Sequence, residues 1–270
     1  MKLLILLLAF LVFPTHAQTK PPATSPTWSQ VPFDPAATNT ALPHSPRQIA
    51  AAVFNVMPPI KTDFETDAQY RKRVAEWIVP LYGTIKSNDV LAFSVNALGN
   101  WADHQPRYFA EAEAWRTNFY IGDIERPSAG ANILLDQTTV PIRSYIGQNA
   151  FGVKKRITTE AVTRWNINIA TGWRSAFVAA VRMPPDEAKR TLISILFVGK
   201  LKPPFATLDK RVIEATMSDP RDQAIGDVAI HLDLHEIVIF DLLSKRIIER
   251  GPPEQYINKF DKASHVTTYP

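Results

Sequence analysis

A short segment rich in histidine is the first candidate for chemistry in this chain. It reads His231-Leu232-Asp233-Leu234-His235 and lies in an alternating stretch that predicts a strand over residues 227–240. On a strand His231, Asp233 and His235 share one face, and imidazole and carboxylate groups are ligands of zinc. Neighbouring side chains on one face lie about 6.6 Å apart, so a single ion requires a bend or a bulge. The segment predicts either a solvated strand face or the metal site of a hydrolase.

Basic residues form the second candidate site. Residues 151–169 predict a hairpin, with strands over 151–157 and 162–169. We expect its inward side chains to be Phe151, Val153, Ile157, Trp165, Ile167 and Ile169. We expect the outward ones to be Lys154, Arg156, Arg164, Asn166 and Asn168, and Arg174 follows beside Trp173. Like charges on one face repel each other, which an anionic partner would relieve. Lys154, Arg156, Arg164 and Arg174 are therefore the predicted anion-binding residues.

Charge is unevenly divided along the chain, whose formal net charge is +4. Residues 143–211 contain 13 basic and 4 acidic residues, whereas residues 212–270 contain 6 basic and 10 acidic residues. The partner predicted from this basic region is an envelope polyanion or an acidic protein. Acidic residues of the C-terminal strands, Asp227, Asp233 and Glu249, could instead neutralise the cations within the fold.

The sequence lacks the motifs of several classes of catalytic or binding site. The chain has no cysteine, which excludes disulfides, thiol nucleophiles, cysteine metal ligands and lipid attachment at a cysteine. It has no Gly-x-Ser-x-Gly elbow and no glycine-rich phosphate loop. No cofactor is predicted, and a non-enzymatic role is favoured over catalysis.

The N-terminus predicts export. Residues 1–17 contain Lys2, an apolar run of eleven residues over 3–13, and the small residue Ala17, as in a secretory signal peptide. Eleven apolar residues are fewer than the roughly 20 that a spanning helix needs. We expect a periplasmic or secreted protein that starts near Gln18 and has no integral membrane segment after cleavage. Nucleic acid is a poor partner candidate, because an exported protein rarely meets it.

Proline divides the rest of the chain. Residues 18–59 hold nine prolines and no glycine, which predicts a flexible, extended spacer with a short helix near residues 46–56. Residues 60–270 form the expected single domain, with a sub-boundary near 126–138. Thr66 and Gln69 make a capping box that predicts a helix over 67–82, and Pro184-Pro185 predicts the start of another.

Short alternating segments predict a β-rich fold. The strands are expected at residues 91–95, 107–115, 139–146, 151–157, 162–169, 177–181, 211–217, 227–240 and 246–249, with an apolar strand ending near residue 200. The alternating alanines and glutamates of residues 107–115 also favour a helix, and a hairpin with residues 91–95 is the preferred interpretation. The expected fold is α+β, a mainly antiparallel sheet with two or three helices. The first functional hypothesis is an exported, envelope-associated binding protein with a basic sheet face. The alternatives are the metal-dependent hydrolase and a periplasmic inhibitor or immunity-type protein.

Overall fold

Most of the described chain is β-strand. A computed structural model describes residues 28–95, 106–121, 131–169 and 175–259. Its helices are α1 (Pro46–Asn55), α2 (Asp67–Glu76), α3 (Pro185–Ala188) and α4 (Pro253–Tyr256). Its strands are β1 (Pro80–Tyr82), β2 (Ile85–Lys86), β3 (Val90–Ser94), β4 (Arg107–Phe109), β5 (Ala114–Ile121), β6 (Ala131–Gln148), β7 (Lys154–Ile169), β8 (Ser175–Arg182), β9 (Ile193–Ile213), β10 (Arg221–Asp241), β11 (Ile247–Gly251) and β12 (Ile257–Lys259). The structure confirms a mainly antiparallel fold that is consistent with the α+β class, with four short helices in the described residues rather than two or three.

Three sheets are present in the described residues. The largest has the order β3-β9-β10-β7-β6, with β11 also paired to β10. Its pairs are antiparallel except β10 with β7, which run parallel over Arg221 to Leu232 and Thr158 to Ile169. A second sheet has the order β12-β8-β5-β4, and β1 and β2 form a small ribbon. The predicted hairpin between residues 227–240 and 246–249 is confirmed as the β10–β11 pair.

The main core lies between the two larger sheets and α1. Ile167, Ile230 and Phe197 come from the large sheet, and they are fully buried. Phe177 of β8 meets Phe197 edge-on, with ring centroids 6.1 Å apart. Helix α1 adds Ile49 and Val53, in agreement with the helix predicted near residues 46–56.

The opposite face of the large sheet is also covered where β3, β9 and β10 meet residues 28–45. Residues 28–45 lie along it, with Phe33 and Ala41 in a second cluster that includes Val198, Val238 and Phe240. This double burial explains why β9 and β10 contain unbroken apolar runs. The flexible spacer predicted over 18–59 does not hold for residues 28–55, which pack on the domain; residues 1–27 lie outside the described range.

Histidine 44 attaches this N-terminal segment to β3. The His44 backbone amide donates to the carbonyl of Ala92 at 2.7 Å, and the Ala92 amide donates to His44 Nδ1 at 2.9 Å. Nε2 therefore carries the proton and donates to the carbonyl of Val31 at 2.9 Å. The segment forms no regular ladder with β3, and separate backbone and side-chain hydrogen bonds attach it instead.

Helix α2 is shorter than predicted. The capping box of Thr66 and Gln69 is confirmed, but the helix ends at Glu76 rather than at residue 82. Pro80 disfavours helical backbone at the residue before it, and the indole ring of Trp77 packs on Phe205 at 4.6 Å.

The hairpin predicted over residues 151–169 is wrong. Residues 154–169 form the single strand β7, which pairs along its length with the preceding β6. The residues expected to turn, 158–161, contain Thr158 and Thr159 and no glycine, proline or asparagine, so they continue the strand. The turn lies at residues 149–153 instead, where Asn149 and Gly152 supply turn chemistry.

Other strand predictions were only partly right. Residues 91–94 of the predicted strand pair with β9 as part of β3, and the Arg107–Trp115 segment folds on itself as β4, a 3₁₀ turn and the start of β5. Residues 211–213 end β9, whereas 214–217 lie in the loop before β10. Most of the turn predicted between residues 100 and 106 lies outside the described residues. Of the sub-boundary predicted near 126–138, residues 126–130 lie outside the described range, whereas residues 131–138 belong to β6.

Candidate anion-binding surface

Three predicted cations lie on one face of the large sheet. Strand β7 runs without a bulge, because β6 takes the extra residues at each register shift. Lys154, Arg156 and Arg164 are therefore at even positions of one strand and share a face. Lys154 and Arg156 are exposed and Arg164 is half-buried. The fourth predicted residue, Arg174, lies outside the described residues.

Arg164 is hydrogen-bonded to a neutral side chain. Its Nε donates to Gln137 Oε1 of β6 at 3.1 Å, and its register partner on β10 is Asp227. The Asp227 carboxylate instead pairs with Arg211 of β9, at 3.4 Å from its Nε. Asp233 contacts His235 at 3.5 Å, and Glu249 accepts the hydroxyl of Tyr256 at 2.8 Å. Within the described part of the chain, none of these three carboxylates forms an ion pair with Lys154 or Arg156.

The basic face ends at Arg164 toward the core. Asn166 and Asn168 share its side of β7, but they are buried rather than solvated as predicted. Asn166 donates to the carbonyl of Val228 at 3.3 Å, and Asn168 donates to Asn132 Oδ1 at 2.9 Å. Their amides are hydrogen-bonded, which is the condition for burying a polar side chain.

Beyond Arg164 the strands β6 and β7 extend to a hairpin tip, which we define as residues 142–157. The tip contains Arg143, Lys154, Lys155 and Arg156 and no acidic residue. Strand β10 begins at Arg221, opposite Thr158, so the β7 residues of the tip pair with β6 alone. The tip itself therefore carries four positive charges, while the carboxylates of Asp219 and Asp222 interact with Lys155 and Arg143 from the neighbouring segment.

The interior positions predicted for this region were half right. Ile167 and Ile169 are fully buried, whereas Phe151 is 91% exposed and Val153 is half exposed. Phe151 and Val153 are in the turn, where no second sheet lies over them in the described structure. Sequence reasoning missed their exposure, although Asn149 and Gly152 on either side of Phe151 are turn residues.

Hydrogen bonds connect the tip with the β9–β10 loop and with the start of β10. Lys155 Nζ donates to the carbonyl of Met217 at 2.6 Å. The Tyr145 hydroxyl donates to Asp222 Oδ2 at 2.7 Å. This bond to the carboxylate raises the pKa of Tyr145 and lowers the pKa of Asp222, whose Oδ1 also accepts the amide of Ala215. The loop thus fixes the position of the tip.

The histidine-rich segment does not gather a metal site in the described structure. His231 Nε2 is 3.0 Å from the hydroxyl of Thr207, and burial lowers the pKa of His231, with a further contribution from Lys202. His235 contacts Asp233 instead. Among the described residues, no group of three or more histidine, aspartate or glutamate side chains is arranged to hold an ion. The predicted set of His231, Asp233 and His235 therefore has no geometric support.

A small crevice lies between the two larger sheets. Its lining is mostly apolar, with Trp115, Val181, Ile193 and Ile239, and it also includes Arg116 and Thr117. Its volume of about 10 Å³ is room for one water molecule. It offers no convergent polar groups for a substrate.

Within the described residues, no helix combines the length and the apolar character needed to cross a bilayer.

Comparisons with known proteins do not assign the chain to a family. Searches against protein-family models, curated proteins and solved structures found no match to the chain.

Proposed function

We propose that this chain is an exported, non-enzymatic protein of the cell envelope that binds an anionic partner through the basic face of its large sheet. The observation that carries the proposal is the hairpin tip, with four cations and no acidic residue. Lys154 and Arg156 extend from this tip on the same side of β7 as Arg164.

Electrostatics explains why such a surface would bind. Exposed cations that lack a carboxylate partner keep their full attraction for an external anion, and phosphate or carboxylate groups accept charge-assisted hydrogen bonds from them. The signal-like residues 1–17 favour an envelope location, where phosphate-bearing polymers and lipids are abundant.

Charge reversal tests the proposal. The double variant Lys154→Glu/Arg156→Glu is compared with the wild type for retention on an envelope fraction at 0.05 M and 0.5 M salt. We expect the wild type to bind at low salt, to bind at least about tenfold more weakly at high salt, and the variant to lose binding.

A matched variant controls for net charge. Lys72→Glu/Lys189→Glu reverses two exposed lysines on α2 and after α3, whose side chains are 78% and 74% exposed. We expect it to bind like the wild type. Equal loss in both variants would assign binding to total charge, and unchanged retention of Lys154→Glu/Arg156→Glu would refute the proposed face.

A further inference from the structure

Apolar side chains are exposed between the cations of the hairpin tip. Phe151 is 91% exposed, and four other apolar side chains of the tip are also open to solvent: Ile142, Tyr145, Ile146 and Val153. Met217, whose carbonyl accepts a hydrogen bond from Lys155, adds a sixth. Exposed apolar groups collected in one place mark an interaction surface more often than scattered ones do.

The turn holds Phe151 outward by specific bonds. The side-chain oxygen Oδ1 of Asn149 accepts hydrogen bonds from the backbone amides of Phe151 at 3.0 Å and Val153 at 2.9 Å. The backbone amide of Asn149 donates to the carbonyl of Val153 at 3.1 Å. Gly152 has φ +82°, in the left-handed region that glycine adopts without strain. The phenyl ring therefore projects from a defined turn, which lowers the entropic cost of inserting it into a partner.

Strand addition is a poor use of this surface. β6 is the edge strand of the large sheet, but Pro141 has no amide proton to donate and the register shifts between Pro141 and Arg143. Proline and bulges on an edge strand discourage pairing with another chain. The contact that the tip can offer is through side chains.

We infer that the hairpin tip docks on a bilayer surface rich in anionic lipid phosphates. Phe151 and its apolar neighbours enter the boundary between headgroups and acyl chains, while Lys154 and Arg156 contact the phosphates. This inference rests on the proposed function and names its partner. A soluble polyanion would use the cations alone, whereas a bilayer boundary offers both an apolar phase and negative charge.

Vesicle binding tests the inference with the exported form of the protein. Sedimentation is measured with vesicles of phosphatidylcholine alone and with vesicles that contain phosphatidylglycerol, and soluble polyphosphate serves as a polyanion without an apolar phase. Phe151→Ser removes the apolar group and Lys154→Glu/Arg156→Glu removes the charge. Phe64→Ser is the matched control, because Phe64 is 100% exposed in the turn before α2. Circular dichroism checks that each variant is folded.

Phosphatidylglycerol vesicles should bind the wild type and the Phe64→Ser control equally. Phe151→Ser should weaken vesicle binding roughly tenfold and leave polyphosphate binding unchanged. Each cation contributes roughly fivefold to vesicle binding, so the double reversal should abolish it. Binding to polyphosphate but not to vesicles, or vesicle binding that ignores Phe151→Ser, would overturn the inference and leave the proposed function standing. Binding to neither, in a protein that also fails to bind envelope fractions, would overturn both.

Discussion

Replacing His44 by alanine should detach the N-terminal segment from β3. The imidazole is fully buried and makes two hydrogen bonds, one from the amide of Ala92 and one to the carbonyl of Val31. Each bond contributes about 1 kcal/mol net, and removal of the buried ring leaves a cavity and an unsatisfied Ala92 amide. We expect His44→Ala to lower the free energy of unfolding by about 2–4 kcal/mol.

The same site makes stability depend on pH. Burial lowers the pKa of His44 below its ordinary value of 6.5, although hydrogen bonds to the backbone oppose this shift. Between the lowered pKa of the folded state and pH 6.5, the unfolded chain therefore binds a proton that the folded chain does not. The stabilisation is complete above this pH and declines as the pH falls, by at most about 1.4 kcal/mol per pH unit for one proton. Burial also lowers the pKa of His231, so His231 likewise reduces the stability of the fold as the pH falls.

Urea unfolding at pH 7.5 and pH 5.5 measures both effects. The wild type should lose more stability between these pH values than His44→Ala does, because the variant lacks the buried imidazole. His235→Ala is the control, since His235 is exposed and its replacement should leave the midpoint at pH 7.5 nearly unchanged. A loss below about 1 kcal/mol at pH 7.5, or the same pH dependence in wild type and His44→Ala, would refute the assigned role of His44.

Two further changes test the turns that support the sheet. Asp241→Ala should cost about 2–3 kcal/mol at pH 7, because the buried carboxylate accepts the amide of Leu192 and the hydroxyl of Ser244. Burial raises the pKa of Asp241, but these bonds outweigh burial and hold the pKa below its ordinary 3.8. The stabilisation by Asp241 is therefore present above pH 3.8 and is lost as the pH falls through the lower pKa of the folded state. Urea unfolding should show that the stability difference between wild type and Asp241→Ala is smaller at pH 3 than at pH 7. Gly83→Ala should cost at least about 1 kcal/mol in thermal unfolding, because φ is +60° and a Cβ would lie 2.3 Å from the carbonyl oxygen of Gln30. Gly226→Ala, whose Cβ would meet only ordinary contacts, is the control, and an equal loss there would contradict the steric reason.

Local signals were predictable where neighbouring residues decide the structure. The capping box of Thr66 and Gln69 involves side chains three residues apart, so it needs no tertiary context. The hairpin of β10 and β11 was likewise predictable, since a short turn joins its strands. Helix α2 shows the limit of such local prediction. The helical spacing of apolar residues continues past Pro80, but proline prevents the backbone from continuing as a helix.

Pairing between distant strands was not predictable. The parallel contact of β7 with β10 joins residues about 60 positions apart, and no local pattern encodes it. The predicted hairpin over 151–169 failed for the same reason, because alternation within a strand identifies its faces but not its partner.

The amino-acid sequence alone determined the concentration of basic residues in the middle of the chain, the alternation that places Lys154, Arg156 and Arg164 on one face, and the apolar runs of the central strands. Tertiary structure decided which parts of each face are covered. Asn166 and Asn168 are buried although they are polar, and Phe151 is exposed although it is apolar. The physical reason is that alternation fixes the direction of a side chain relative to its own strand, whereas burial depends on segments that pack against that strand from elsewhere in the chain.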